Sequence, residues 1–129
     1  MEKGLYFEIT DIMLKLGLQP KFAGFEYLRE AVGLYVNKAT SEEKLTTEIY
    51  PKIAEKYDVS VMIVERSIRM AISDSFNSKG LLGLNDYYQN VVYSGDFMLS
   101  NGELISIIAE ILKLNKIRDK LASGNKIVG

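Results

Sequence analysis

Apolar residues recur at three- and four-residue intervals along most of the chain, the spacing that lines one face of an α-helix. Ile9, Ile12, Met13 and Leu16 form a first stripe that Gly17 and Pro20 bring to a stop, which predicts a helix over about 8–16. A second stripe begins near Gly24 and sets Tyr27, Leu28, Ala31, Val32 and Tyr35 on one face, with Arg29 and Glu30 turned outward and an end near Asn37. Ser41 is the expected N-cap of a third helix, with Glu42 and Glu43 in the first turn and Leu45, Ile49, Ile53 and Ala54 as its apolar positions. Pro51 falls inside this stretch, so the helix either kinks there or divides into two that meet at Tyr50; the kink is the preferred reading.

Asp58-Val59-Ser60 makes a short polar turn, Ser60 caps a further helix, and Val64, Ile68, Ile72 and Phe76 repeat every four residues. This predicts a fourth helix over about 61–77. Residues 78–99 hold Gly80, Gly83, Gly95 and several tyrosines, and they sustain no stripe beyond a short turn or helix at 81–88. Ser100-Asn101-Gly102-Glu103 has the form of a capping box, and Leu104, Ile107, Ile108, Ile111 and Leu112 supply the face of a last helix over about 101–115. The class is therefore all-α, with about six helices. Residues 1–115 are expected as a single domain and 116–129 as a basic, flexible tail.

At 129 residues and 47% hydrophobic, the chain can bury one sizeable core. Cysteine and histidine are both absent, which removes disulfides, thiolate chemistry, imidazole catalysis and the usual zinc ligands. No paired acidic residues or Gly-rich phosphate loop stand out, so neither an enzyme nor a cofactor or small-molecule site is expected. The apolar runs are too short to span a bilayer, and Met1 to Phe7 has no leader-like pattern, which makes a cytoplasmic protein the expectation. Net charge is −1, a weak argument against a protein held by phosphate neutralisation. Positive charge gathers instead at the end, in Lys113, Lys116, Arg118, Lys120 and Lys126, where a solvated terminus is the plainer account than a phosphate contact.

The helices at roughly 44–57 and 61–77, joined by a short turn, have the proportions of a helix-turn-helix whose second member enters the major groove. With Val64, Ile68, Ile72 and Phe76 facing inward, the outer face carries Met62, Glu65, Arg66, Arg69, Met70 and Ser73. Arginine's planar fork can bond two acceptors on guanine, and a carboxylate can accept from cytosine. The plainer account is a surface ion pair between Glu65 and Arg69, four residues apart. Tyr87, Tyr88 and Tyr93 are expected to pack on the core rather than to stack on a nucleic acid, and Phe25, Tyr27, Tyr35 and Phe76 are placed inside it.

Several short motifs in order carry a resemblance. Ile9-Thr10-Asp11-Ile12-Met13, Leu16-Gly17 and Gly24-Phe25-Glu26-Tyr27-Leu28-Arg29-Glu30-Ala31 are followed by Tyr50-Pro51-Lys52-Ile53-Ala54. Val64-Glu65-Arg66-Ser67-Ile68-Arg69-Met70-Ala71-Ile72 and Ser100 to Leu112 complete the series. Over about residues 9–115 the chain resembles the DNA-binding effector domain of the sporulation-initiation response regulator, stage zero sporulation protein A. The resemblance implies a six-helix domain, unrelated to the winged helix, whose fourth helix reads a short promoter element in double-stranded DNA. It gives Glu65, Arg66 and Arg69 base-reading and phosphate-contacting roles, and it places Lys79 near a phosphate. It further implies a receiver domain preceding this one in full-length members, and a monomer that self-associates on tandem sites. The chain departs from the family pattern at Met62 and Ile63, where a polar and then a basic residue are usual, and at Met70, where histidine is usual. Methionines there either pack on thymine methyls or make a protein-binding surface, so a dimerisation or antagonist module on the same fold is the alternative.

Overall fold

The computed structural model describes residues 1–38 and 44–128. Six α-helices account for most of them: α1 (Lys3–Lys15), α2 (Ala23–Lys38), α3 (Tyr50–Tyr57), α4 (Val61–Asn77), α5 (Leu84–Tyr88) and α6 (Asn101–Val128). No strand occurs among the described residues. Ser41, Glu42 and Glu43, expected as the cap and first turn of the third helix, lie outside the described residues.

Helix α1 starts five residues before the expected boundary because Glu2 caps it, its carboxylate accepting from Gly4 N at 2.8 Å and Leu5 N at 3.1 Å. It ends where expected, at Gly17, whose φ of +77° is accessible to glycine at little cost. There the chain touches the end of α4: the buried Ser75 hydroxyl donates to Leu16 O, and a Cβ on Gly17 would stand 2.8 Å from Gly80 Cα. Gln19 Nε2 adds a bond of 2.8 Å to Asp74 Oδ2, so the loop after α1 is fixed to the C-terminal third of α4.

Helix α2 is the centre of the domain, packed against α1, α3, α4 and α6. This overturns the outward placement of Arg29 and Glu30. Arg29 is only 7% exposed, because a helix surrounded on several sides has no single solvent face, and the Glu30 side chain is mostly covered as well. Arg29 Nη2 meets Glu26 Oε2 at 2.8 Å, Nη1 donates to Thr10 Oγ1 at 3.1 Å, and the guanidinium carbon sits 4.1 Å from the centre of the Tyr6 ring. Burial and the carboxylates of Glu26 and Glu30 push the Tyr57 phenol well above its ordinary range. Its hydroxyl donates to Glu26 at 3.0 Å, and Lys56 Nζ reaches Glu30 at 2.6 Å, tying α3 to α2.

The chain from Lys44 to Tyr57 is helical throughout but changes register. Leu45–Ile49 is a π-helical turn, and Tyr50 N–H donates to Leu45 O, five residues back. Pro51, with no N–H to give, stands at the start of α3 where that loss is harmless. The expected kink is thus a change of hydrogen-bond register centred on Tyr50. Asp58 then ends α3 in the left-handed conformation, φ 54° and ψ 50°, while Val59 N donates to Ala54 O at 3.0 Å. A β-branched residue is strained at such a φ, so Asp58→Val should lower stability by about 1–2 kcal/mol while Asp58→Gly should not, as read by denaturant unfolding.

Helix α4 occupies the range expected for it. Ser60 caps it, Oγ accepting from Ile63 N at 3.1 Å, and Val64, Ile68, Ala71 and Ile72 are buried, with Phe76 packing against the core's edge. A 3-10 turn at Gly80–Gly83 leads into α5. The loop between α5 and α6 is organised by Asn85, whose Oδ1 accepts from Val92 N and Tyr93 N and whose Nδ2 donates to Tyr93 O, all at 2.9 Å. Tyr93 is buried and Tyr87 and Tyr88 pack partly against the core, as their sequence context implied. The capping box forms in both directions: Glu103 N donates to Ser100 Oγ at 3.1 Å and Ser100 N donates to Glu103 Oε1 at 2.9 Å. Helix α6 does not stop near 115. The segment from 116, expected as a basic tail, continues it to Val128, and Arg118 Nη2 donates to Tyr87 O at 3.0 Å.

Candidate nucleic-acid interface

The turn at Asp58–Ser60 joins α3 to α4, whose outer face is left uncovered at Met62, Ile63, Arg66, Arg69 and Met70. Its inner face is held by α2, where Gly24 lets the two backbones approach: a Cβ on Gly24 would lie 1.9 Å from Ser67 O. Its flank is held by α6, where Asn101 Nδ2 donates to Glu65 O at 3.0 Å. Both contacts fall on the middle of α4, between and beside Arg66 and Arg69.

Of the residues expected on the outer face, Met62, Arg66, Arg69 and Met70 are exposed, Glu65 and Ser73 are partly covered, and Ile63 joins the exposed set. Met62 is 63% exposed, Ile63 44% and Met70 57%, and Arg66 and Arg69 are exposed beside them. Glu65 is half-buried, its backbone engaged by Asn101. The ion pair between Glu65 and Arg69 is not formed: among the described residues, no carboxylate lies within 4.0 Å of Arg69 or Arg66. Arg66 Nη2 instead rests 3.7 Å from Met62 Sδ, a weak contact that leaves its remaining donors for an incoming acceptor. The helix thus offers two adjacent guanidinium groups set in a rim of methionine and isoleucine.

Lys79 is exposed but not part of this patch. It stands beyond the C-terminal end of α4, roughly 25 Å along the helix from Met62 at about 1.5 Å per residue. It adopts a left-handed conformation, φ 66°, beside a small hollow of about 190 Å³ lined by Phe76, Leu82 and Tyr93. The larger groove, about 640 Å³, lies between α1, the end of α2 and α6 and includes no residue of α4. Among the described residues no cluster of three or more acidic, His or Cys side chains is arranged to hold a metal, and no helix is long and apolar enough to cross a membrane.

Asn101 is the positioning residue that the sequence did not single out. It is legible only as the residue after a cap, and its hydrogen bond spans 36 positions. The bracket of Glu26, Glu30, Lys56 and Tyr57, which fixes α3 behind α4, is likewise assembled from separate helices.

A short-turned helix pair on an all-α core, with arginines exposed on its second helix, has the form of a helix-turn-helix. The chain matches the family model for the C terminus of the sporulation initiation factor Spo0A over residues 9–112, and it belongs to that family. It is accordingly a DNA-binding transcription-regulator domain of sporulation initiation, a class that is not a known enzyme family.

Proposed function

We propose that this domain reads a specific promoter element by laying the N-terminal half of α4 in the major groove, with Arg66 and Arg69 as its base readers. The observation that carries this reading is the state of those two side chains. Both are exposed on one face three residues apart, neither is spent in an ion pair among the described residues, and the backbone between them is held from behind by α2. In this reading Glu65, half-buried beside Arg66, accepts from a cytosine amine, and Met62 and Met70 pack on thymine methyls. Lys79, some turns away, is assigned to a phosphate outside the base-reading patch, and two domains are expected to pair on tandem elements.

Titration of a duplex carrying the family's promoter element against a scrambled duplex, at two salt concentrations, tests this. Arg66→Ala and Arg69→Ala should each weaken binding to the element by about 1–3 kcal/mol and reduce discrimination, while Lys79→Ala should weaken both duplexes alike and flatten the salt slope by about one. A second reading is favoured by one observation: Met62, Ile63 and Met70 make the face more apolar than a phosphate-seeking surface needs. Absence of salt-dependent binding to either duplex would sink base reading and leave α4 as a protein-docking face.

A further inference from the structure

We infer that Met62 is an oxidation site whose sulfoxide captures Arg66 and so switches the α4 surface off; the DNA half of this inference rests on the base-reading role proposed for Arg66. Four observations converge on Met62. Its side chain is the most exposed methionine, 63% against 57% for Met70 and 50% for Met1, whereas Met13 is 0% exposed and Met98 partly buried. It lies in the first turn of α4, on the outer face. Its sulfur is the methionine sulfur that an arginine approaches, Arg66 Nη2 at 3.7 Å. No carboxylate competes for that guanidinium among the described residues.

The chemistry rests on the change in acceptor strength. A thioether is a weak acceptor, so Arg66 is held loosely and can leave for a guanine edge. Hydrogen peroxide converts it in one two-electron step: a sulfur lone pair attacks one peroxide oxygen, the O–O bond breaks and an S–O bond forms. The proton on the transferred oxygen passes to the departing hydroxide, which leaves as water. Sulfur is oxidised and the peroxide reduced, with nothing further consumed. The new oxygen is a strong, polar acceptor on the atom that Arg66 already touches. It closes a charge-assisted hydrogen bond within one turn of α4 and takes from the outer face the donor that would meet a base. Met70, equally oxidisable, has no arginine on its sulfur among the described residues, and its sulfoxide has no such partner.

The test treats the purified chain with limiting hydrogen peroxide, maps each methionine by mass spectrometry, and follows the Arg66 side-chain Nε–H by NMR. Met62 should oxidise early and Met13 remain reduced, and the Arg66 resonance should shift and exchange more slowly with solvent in proportion to Met62 sulfoxide. Affinity for the promoter element should fall about tenfold on oxidation, as expected for loss of one good base contact. Methionine sulfoxide reductases should restore it. In the Met70→Leu background, which removes the other exposed methionine of α4, oxidation should still lower affinity, and adding Met62→Leu should abolish that loss whatever the starting affinity of the double variant. An unchanged Arg66 resonance at full Met62 oxidation overturns the capture, and an equal oxidative loss in Met70→Leu with and without Met62→Leu overturns the switch. Should the reduced chain bind no duplex at all, the base-reading proposal fails by itself, and the NMR measurement still decides whether Met62 captures Arg66.

Discussion

Gly24→Ala is expected to cost about 3 kcal/mol of folding stability or more, although alanine is the better helix former. A Cβ there would stand 1.9 Å from Ser67 O, 2.5 Å from Ser67 C and 2.9 Å from Ile68 N. These are backbone atoms inside α4, and no rotamer change moves them aside. Relief requires α2 and α4 to separate, which loosens Leu28, Ala31, Val64 and Ile68, all of them fully buried. Alanine's intrinsic gain, about 1 kcal/mol in a helix interior and smaller at Gly24, the second residue of α2, offsets only part of this. Gly124→Ala is the matched control: nothing lies within 4 Å of the added methyl, and the same chemical change should be neutral or stabilise by up to about 1 kcal/mol. Denaturant unfolding of both variants decides the matter, and a Gly24→Ala protein as stable as the parent would mean that the helices do not approach this closely. The variant should also bind DNA less well than its residual folded fraction predicts, because Ser67 lies between Arg66 and Arg69.

The parts of this domain that the sequence discloses are those governed by local rules. The bounds of α4 follow from a four-residue apolar repeat and a serine cap, and the start of α6 from a capping box whose two bonds both form. The exposed residues Met62, Arg66, Arg69 and Met70 fall outside the same repeat, although Ala71 and Ser75, also outside it, are buried against neighbouring elements. What the sequence conceals are the contacts between helices. An amphipathic pattern has one inner face, and α2 needs several, so Arg29 and Glu30 fall on a face that looks polar in sequence and is covered in the fold. The extent of α6 is hidden for the opposite reason: past Leu112 its apolar residues Ile117 and Leu121 are exposed, so burial no longer marks the helix. The π-helical turn before Pro51 is invisible to periodicity because five residues are too few to shift a stripe. Asn101 belongs to this second group, since nothing local distinguishes it from any polar residue in a first helical turn.

Arg29 carries the second large effect, and Arg29→Ala should destabilise the domain by about 2–3 kcal/mol. Three things are lost together: the pair with Glu26 at 2.8 Å, the bond to Thr10 Oγ1 at 3.1 Å, and stacking on the Tyr6 ring at 4.1 Å. Removing one partner of a buried pair costs more when the other is stranded, but the Glu26 side chain keeps 46% exposure and can recruit water. That places the expectation below the range for fully buried pairs. Arg29 Nε already lacks a partner among the described residues, so its removal also relieves a small desolvation penalty. Arg29→Lys separates the contributions. It keeps the charge near Glu26 but loses the planar stacking surface and the second fork, and should cost about 1–2 kcal/mol. A lysine variant as stable as the parent would show that a positive charge at this position suffices and that the planar fork on Thr10 and Tyr6 adds nothing. An alanine variant within about 0.5 kcal/mol of the parent would show that the helices hold each other by their apolar faces without it. Because Glu26 also accepts from Tyr57, loss of Arg29 should be felt at α3 as well, and a double-mutant cycle with Tyr57→Phe should show coupling well outside the additive range of about 0.3–0.5 kcal/mol.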